Sequence, residues 1–310
     1  MRASGDAAPH NAYASSMSEK HLAYMPFAAA LLGVCFLSAM DAFMKSASLA
    51  AGAYSAAILR SAIGTLIIAP IWLGTGGKWP KRAVLKVHIL RGTVSGFMAL
   101  SFFYALTKLP IAEAIAISFI APLITLYLAA ILLGEVIRRE AVYASLLGFL
   151  GTIIIVSGRL GAADFDIETL KGLGAILFSA MLYAWNFIII RQQALISSPT
   201  EATTFHSGVA FSVLAVFAPW FLTVPSLPIL GSISAAAALT VAGALSLTWA
   251  YARAEAQYLV PLEYSGFLWA ALLGWYVFAE AITMTTVAGA MMIVVGCLVA
   301  TRRRPEQSAI

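Results

Sequence analysis

Long apolar segments separated by short polar ones dominate the pattern of hydrophobic and polar positions along this chain. Each apolar segment has roughly 17–25 residues, the length that an α-helix needs to cross the hydrocarbon core of a bilayer. A β-barrel would instead show shorter segments of alternating polarity. The pattern therefore predicts an all-α integral membrane protein with ten transmembrane helices, over residues 24–44, 54–73, 88–106, 111–134, 141–157, 172–190, 203–224, 229–251, 257–279 and 282–300.

The positions of Lys and Arg in the connecting loops predict the orientation of the chain. With a cytoplasmic amino terminus, 13 of the 19 Lys and Arg residues face the cytoplasm and four face the outside. The other two, Arg60 and Arg91, lie within spans. Because cytoplasmic loops are enriched in basic residues, both termini are expected in the cytoplasm of a multi-pass inner (cytoplasmic) membrane protein.

The two halves of the chain are related by an offset of 145 residues. At this offset Glu135, which ends the fourth span, aligns with Glu280, which ends the ninth, and Gly151 aligns with Gly296. A repeat unit with an odd number of helices re-enters the membrane from the opposite side, and such inverted repeats are typical of transporters. We predict two inverted five-helix repeats, 22–160 and 161–301, flanked by a disordered cytoplasmic tail over 1–21 and a basic cytoplasmic tail over 302–310.

Composition agrees with a membrane protein. Hydrophobic residues make up 61% of the chain and charged residues only 11%, whereas a soluble domain is about 25% charged. The net charge of +5 comes from short loops between apolar spans, so a lipid bilayer and not a nucleic acid is the expected partner. Cys35 and Cys297 both lie in apolar runs and are interpreted as packing residues.

Several segments carry a resemblance to a known family. The five-plus-five organisation, LRSAIGTLIIAP around Arg60, APLITLYLAAILLGE with Pro122, and PLEYSGFLWAALLGW before Glu280 resemble the EamA family of the drug/metabolite transporter (DMT) superfamily. The resemblance covers about residues 22–301. The stretch VHILRGTVSGFMALSFFYALTKLPIAEAIAISFIAPL looks most like members that take up S-adenosylmethionine, and bacterial riboflavin transporters share the broad pattern. The resemblance implies secondary active transport of a small organic metabolite, such as S-adenosylmethionine, riboflavin or an amino-acid-like molecule.

Four charged residues are predicted in the outer half of the membrane. Asp41 and Lys45 lie four residues apart at the end of the first span, a spacing that allows a local ion pair. Arg60 lies about 10 Å from the outer interface at 1.5 Å per residue, and Glu113 begins the fourth span. An intramembrane charge is costly and often functional. We interpret Arg60, paired with Asp41 or Glu113, as an outer gate or substrate clamp; the alternative is a structural ion pair.

Glu263 is predicted to lie about 9 Å deep in the cytoplasmic half of the ninth span. No Lys or Arg accompanies it within that span. Burial without a partner favours the neutral form of a carboxyl group, so Glu263 is a candidate proton carrier that couples transport to a proton gradient. The alternative is a hydrogen bond with a hydroxyl near Tyr264. Glu135 and Glu280 are interpreted as residues at helix ends.

Prolines and aromatic residues complete the candidate substrate site. Pro122 and Pro261 interrupt predicted helices, and such breaks occur both at midplane binding sites and as ordinary kinks of membrane helices. Aromatic walls suit a planar or cationic metabolite, although helix packing explains the same residues. The aromatic candidates are Tyr104, Tyr183, Tyr264 and Trp269.

Two other functional classes remain open at the level of sequence, a membrane-embedded lipid-modifying enzyme and a channel. An enzyme would need a cluster of His, Asp or Glu at one membrane face, but the four His are dispersed. The motifs GxxxxGK[ST], HExxH and GxSxG are missing, so no enzymatic activity, cofactor or metal is expected. A channel needs a continuous polar pore, whereas the polar residues here are isolated and favour one occluded site.

Overall fold

A computed structural model describes residues 10–133, 139–160, 166–194, 196–251, 262 and 265–301. Every regular element within these residues is helical, and none is a strand. This is the predicted all-α fold. The helices are α1 His10–Ala51, α2 Ala53–Gly74, α3 Arg82–Leu106, α4 Ile111–Ser118, α5 Ala121–Leu133, α6 Arg139–Leu160, α7 Ile167–Ala194, α8 Pro199–Ala215, α9 Ala218–Phe221, α10 Leu227–Tyr251, α11 Ser265–Phe278 and α12 Met284–Thr301.

Helix length and hydropathy identify the membrane-spanning part of the described chain. Five helices contain segments long and apolar enough to cross a bilayer: Met25–Ala51, Ala53–Gly74, Arg82–Leu106, Ile167–Ile190 and Leu227–Leu247. Shorter apolar segments, Leu146–Gly158, Ser265–Phe278 and Met284–Gly296, correspond to the fifth, ninth and tenth predicted spans. The fourth and seventh predicted spans are each divided between two helices.

Both divisions occur four residues before a proline. Helix α4 ends at Ser118, four residues before Pro122, and α8 ends at Ala215, four residues before Pro219. A proline ring clashes with the carbonyl of residue i−4 and removes a backbone donor. The span predicted over 111–134 is thus interrupted near Pro122, as the sequence predicted. The continuous helix predicted over 203–224 is wrong, because Pro219 breaks it at the position that the proline ring would obstruct.

The first helix extends further toward the amino terminus than the sequence pattern suggested. It begins at His10, so residues 10–20, predicted as part of a disordered tail, are helical. This segment contains no Gly or Pro, the two residues that most disfavour a helix interior. Residues 1–9 and 302–310 lie outside the described part of the chain.

Helix packing follows an approximate two-fold exchange of the two halves. The contact of α1 with α10 is equivalent to the contact of α7 with α3. In the same way, the contact of α3 with α8 is equivalent to the contact of α10 with α2. The contacts of α1 with α11 correspond to those of α7 with α5. The pairs α2–α8 and α6–α12 each consist of two equivalent helices, so the exchange of the two halves maps each pair onto itself. This packing agrees with two five-helix repeats.

The surface of the bundle is apolar, as expected of a protein that faces lipid. Leu66, Ile131 and Trp220 expose 74%, 77% and 73% of their surface. The interior is rich in alanine, with Ala56, Ala57, Ala114 and Ala116 fully buried among many others. Small side chains allow helices to approach closely where the hydrophobic effect does not drive them together.

A close backbone contact joins α6 to α12 through two glycines. A Cβ atom added to Gly151 would lie 2.6 Å from the Gly289 carbonyl oxygen, and one added to Gly289 would lie 2.5 Å from the Gly151 oxygen. Because the obstructing atoms belong to the backbone, no side-chain rotation can relieve the contact. The two helices therefore pack this closely only if both residues are glycine.

We expect Gly151→Ala and Gly289→Ala each to destabilise the protein by about 1–3 kcal/mol, the usual cost of overpacking. Gly174→Ala on α7 is the matched control, since nothing lies within 4 Å of its added Cβ. The control should match or exceed wild-type stability because Ala favours the helix. The measurement is the midpoint of thermal unfolding of purified protein in detergent. Equal midpoints for Gly151→Ala and Gly174→Ala would contradict the described contact.

Candidate functional site

A polar cavity of about 90 Å³ lies where helices of both repeats meet. Helices α2 and α3 contribute from the first repeat, and α8 and α10 from the second. These four helices form two pairs that exchange under the two-fold relation of the packing. The lining residues are Arg60, Gly64, Arg91, Thr203, His206, Ser207, Ala237, Thr240, Val241 and Ala244.

The size of the cavity indicates a contracted site. At about 30 Å³ per water molecule, it holds about three waters. Sites for organic ligands usually have volumes of about 300–1,000 Å³. The four helices must therefore move apart before a metabolite can occupy the space between them.

Arg60 on α2 is held by weak contacts. Its Nη1 donates to Thr240 Oγ1 over 3.3 Å, and the guanidinium carbon lies 5.2 Å from the centre of the Phe103 ring. Asp41 on α1 attracts Arg60 electrostatically. The Arg60 Nε is buried without a hydrogen-bond partner. The Arg60 guanidinium therefore keeps unused donor capacity beside the cavity.

Arg91 on α3 begins a polarised hydrogen-bond chain. It donates through Nη1 to Gln193 Oε1 on α7, which leaves the Gln193 amide nitrogen to donate to His88 Nδ1. His88 then donates through Nε2 to Glu201 Oε1 over 2.9 Å. Because an arginine can only donate, it fixes the direction of the chain, which ends at the carboxylate of Glu201.

His206 lies close enough to Arg60 and Arg91 for both guanidinium groups to interact electrostatically with its ring. Its Nδ1 is buried and has no hydrogen-bond partner. The hydroxyls of Thr203, Ser207 and Thr240 complete the polar part of the cavity wall. The Thr203 and Thr240 hydroxyls already donate to the carbonyls of Pro199 and Ala236 one turn earlier, so the unused donors of the described wall are chiefly those of the two guanidinium groups.

Aromatic clusters lie near both ends of α2 and α8. At one end the Phe205 ring stacks on His88 at 4.7 Å and meets Trp72 and Trp79 edge-on at 5.4 Å each. At the other end Tyr54 lies against Phe221 at 5.7 Å, and its hydroxyl donates to the Leu214 carbonyl. Phe205 directly precedes His206, so one cluster borders the cavity itself.

A buried ion pair between Lys45 and Glu280 joins the two repeats. Lys45 Nζ also donates to the Leu109 carbonyl over 2.7 Å, and Glu280 Oε2 accepts the backbone N–H of Ile111 over 2.9 Å. Ile111 is the first residue of α4, where free N–H groups favour an anion. We call these four residues the Lys45–Glu280 clasp.

A more exposed charge cluster lies on the turn between α3 and α4. Glu168 pairs with Lys108 and with Lys171, each over 2.6 Å. The hydrogen bond that Lys108 donates to the Glu168 carboxylate raises the pKa of Lys108 above its ordinary value. The backbone N–H of Thr169 lowers the pKa of Asp166. Exposed pairs of this kind add little stability, so this cluster orients the start of α7 and does not anchor it.

The structure changes the expected pairing of the outer charges. The ion pair of Lys45 is with Glu280 and not with Asp41 four residues earlier. Glu280, predicted only as a residue at a helix end, is thus part of a contact between repeats. Glu113 is buried against α12, where Thr286 Oγ1 donates to it over 3.5 Å, so Arg60 is paired electrostatically with Asp41 alone of its two predicted partners.

The other predicted residues that the structure describes are not among those lining the cavity. Tyr104 faces Lys108, whose Nζ is 5.9 Å from the ring centre. Tyr183 stacks on Phe187 at 4.6 Å, and Trp269 is half-buried in α11. Their role in substrate binding stays a prediction. The same holds for Pro122, which lies at the start of α5, and for Pro261, Glu263 and Tyr264, which lie outside the described residues.

Sequence reasoning missed most of the cavity wall. Arg91 could have been found, because it is the second arginine within a predicted span. His206 gave no signal, because it is one of four histidines that are dispersed along the sequence. The hydroxyl residues Thr203, Ser207 and Thr240 gave no signal, since membrane helices commonly contain such residues.

Comparison with known families gives one result for both halves of the chain. The EamA-like transporter family matches residues 25–157 and again residues 170–302. The two matches begin at 25 and 170 and end at 157 and 302, so they are offset by 145 residues at both ends. This is the offset predicted from the sequence, and the tandem repeat is confirmed.

Individual relatives are similar over most of the chain. The pseudopaline exporter CntI of Pseudomonas aeruginosa strain UCBPP-PA14 is 27% identical over 277 residues, which cover 89% of this chain and 95% of the exporter. The S-adenosylmethionine uptake transporter of Rickettsia bellii strain RML369-C is 28% identical, over 85% of this chain and 89% of its own. One solved crystal structure, 21% identical, shares the fold with a TM-score of 0.61 over 88% of this chain and 96% of its own.

The Lys45–Glu280 clasp predicts a strong dependence of stability on both charges. We expect Lys45→Met to cost about 3–5 kcal/mol, because it leaves the buried carboxylate of Glu280 without its cation. The double variant Lys45→Met/Glu280→Gln should regain part of that loss, because it leaves no buried charge unpaired and keeps an acceptor for the Ile111 N–H. Thermal unfolding in detergent measures both effects.

Lys171→Met is the control for this experiment, because Lys171 pairs with a carboxylate at the exposed surface. Such a pair contributes at most about 1 kcal/mol. A Lys45→Met variant as stable as Lys171→Met would show that the clasp does not hold the repeats together.

Proposed function

This chain belongs to the EamA-like transporter family, and from that premise we propose that it is a secondary active transporter of an amino-acid-like metabolite. Family membership and the named relatives make it a multi-pass membrane transporter of small molecules. The proposal adds the mode of transport, the substrate class, the cytoplasmic membrane as location and both termini in the cytoplasm.

The observation that carries the proposal is the position of the polar cavity. Its wall is built from two pairs of helices that exchange under the two-fold relation of the repeats. Inverted repeats that enclose one central site can exchange inward-open and outward-open shapes around it. This small polar cavity between the two repeats therefore supports alternating access to one occluded substrate.

The relatives narrow the substrate class but not the direction of transport. One is named as an exporter of pseudopaline and another as an uptake transporter of S-adenosylmethionine. We propose S-adenosylmethionine or another amino-acid-like metabolite as substrate, with riboflavin as the alternative.

Two features argue against the competing functions. Among the described residues no group of three His, Cys, Asp or Glu side chains is placed to hold a metal ion, and the cavity wall contains no carboxylate that could act as an acid or base. A channel needs a continuous polar path, but stacked aromatic rings border the cavity at Phe205. The proposal therefore gives the chain no enzymatic activity.

Uptake into vesicles tests the proposed function. Purified protein in liposomes should accumulate one solute from a panel of labelled S-adenosylmethionine, amino acids and riboflavin when a proton gradient is imposed. A channel would equilibrate the solute without accumulation, and an enzyme would convert it. Transport of no solute beyond the rate of protein-free liposomes would contradict the proposal.

Glu263 is the proposed proton carrier, and the same vesicles test it. Glu263→Gln keeps the size and most hydrogen bonds of the side chain but cannot release a proton. We expect exchange of substrate across the membrane to survive while gradient-driven accumulation is lost, because binding and proton movement are no longer linked. Normal accumulation by the variant would make Glu263 a structural residue, and weaker affinity in both assays would make it a binding residue.

Reporter fusions test the proposed orientation. A reporter at Ser308 should signal a cytoplasmic location and one in the loop around Asp164 should signal an external location, because of the distribution of Lys and Arg. Signals from the same side at both positions would contradict the inverted-repeat topology.

A further inference from the structure

We infer that Arg60 and Arg91 form a binding subsite for a carboxylate group of the substrate. The inference rests on the proposed transport function and specifies how the cavity selects its substrate. It names a ligand class, a metabolite with an ionised carboxyl group, and assigns that group to one place in the bundle.

The two arginines approach the middle of the membrane from opposite ends. Arg60 lies seven residues after the start of α2 at Ala53, and Arg91 nine residues after the start of α3 at Arg82. At 1.5 Å per residue these positions are about 10 and 13 Å from the respective helix ends. Because α2 and α3 are consecutive and antiparallel, both guanidinium groups reach the central cavity, where both line the wall.

These arginines have more N–H donors than the described part of the protein supplies acceptors for them. A guanidinium has five N–H donors. In the described part of the chain each one donates to a single neutral acceptor, Thr240 for Arg60 and Gln193 for Arg91. Both Nε atoms are buried without an acceptor. Buried donors left unpaired are costly, so the site is incomplete without an acceptor.

The charges around the two arginines also favour a carboxylate ligand. Neither arginine forms a salt bridge with a carboxylate among the described residues, and only Asp41 attracts Arg60 from α1. Glu201 is separated from Arg91 by the two neutral side chains of Gln193 and His88. Among the described residues, two guanidinium groups thus face one nearby carboxylate, which leaves about one positive charge for a monoanionic ligand to balance.

The geometry of the cavity wall matches a carboxylate. An ionised carboxyl group only accepts hydrogen bonds and pairs with the planar fork of a guanidinium through two parallel bonds. The Ser207 hydroxyl lies in the wall on the side of α8, whereas Thr203 Oγ1 already donates to the Pro199 carbonyl. The site therefore recognises amino acids and their derivatives, whereas riboflavin, which lacks an ionised acidic group at neutral pH, does not fit it.

Acetate is the probe for this subsite, because it is small enough for the contracted cavity, and acetamide is its uncharged counterpart. Thermal unfolding of the purified full-length protein is followed as sodium acetate replaces sodium chloride at constant ionic strength. A ligand that binds the native state raises the unfolding midpoint. We expect a saturable rise with acetate and none with acetamide.

Arg60→Gln and Arg91→Gln should each raise the half-saturating acetate concentration at least tenfold, because each removes charge-assisted hydrogen bonds. Arg82→Gln, at the exposed start of α3, is the matched control and should respond like wild type. If a Gln variant does not purify as a folded protein, the Lys variant at that position takes its place, since it keeps the charge but loses the bidentate fork.

The outcomes separate this inference from the proposed function. Equal stabilisation by acetate and acetamide, or an unchanged acetate response in Arg60→Gln and Arg91→Gln, would overturn the subsite even if vesicles transport a metabolite normally. Selective acetate binding that both variants lose, in a protein that transports no metabolite, would sustain the subsite and refute the transport function.

Discussion

Water is absent from the hydrocarbon core of a bilayer, so a charged side chain placed there must find its partners within the protein. Much of this structure follows from that constraint. The surface of the bundle is apolar, and the costly guanidinium groups of Arg60 and Arg91 are gathered in one cavity. The protein stabilises them with a ring face, a hydroxyl and an amide. That arrangement is sufficient to hold the cations and leaves them available to a ligand.

The scaffold is two-fold in its packing, but the chemistry of the cavity is not. At the repeat offset of 145 residues, Arg60 corresponds to Phe205 and Arg91 to Ala236. Both cations therefore come from the first repeat, while the second supplies His206 and the hydroxyls. Two-fold packing suits a transporter that opens alternately to either side of the membrane. An asymmetric site suits a metabolite, which has no two-fold symmetry and carries its carboxyl group at one end.

Contacts between the repeats set the energy needed to change shape. The Lys45–Glu280 clasp ties α1 and the start of α4 to the segment after α11, and the glycine contact holds α6 against α12. The clasp must loosen if the helices separate at that end of the bundle. A buried ion pair with two additional backbone hydrogen bonds is stable when closed and can be replaced by water contacts when open. The contact between α6 and α12 is a packing contact that water cannot replace, so these two helices are suited to remain packed.

The sequence by itself determined the helical class, the number of spans and the repeat offset, and it marked Arg60 as a charge within a span. These features follow from local hydrophobicity and from the cost of an intramembrane charge, which do not depend on the neighbours that a residue acquires. The tertiary structure alone decided the pairing of Lys45 with Glu280, the position of Glu113 against α12, and the union of Arg91, His206 and Thr240 with Arg60 in one cavity. Those contacts join residues many tens of positions apart, and the rotation of each helix about its axis selects them. In an apolar membrane span all faces of a helix have similar polarity, so the sequence does not determine that rotation and the packing of the helices does.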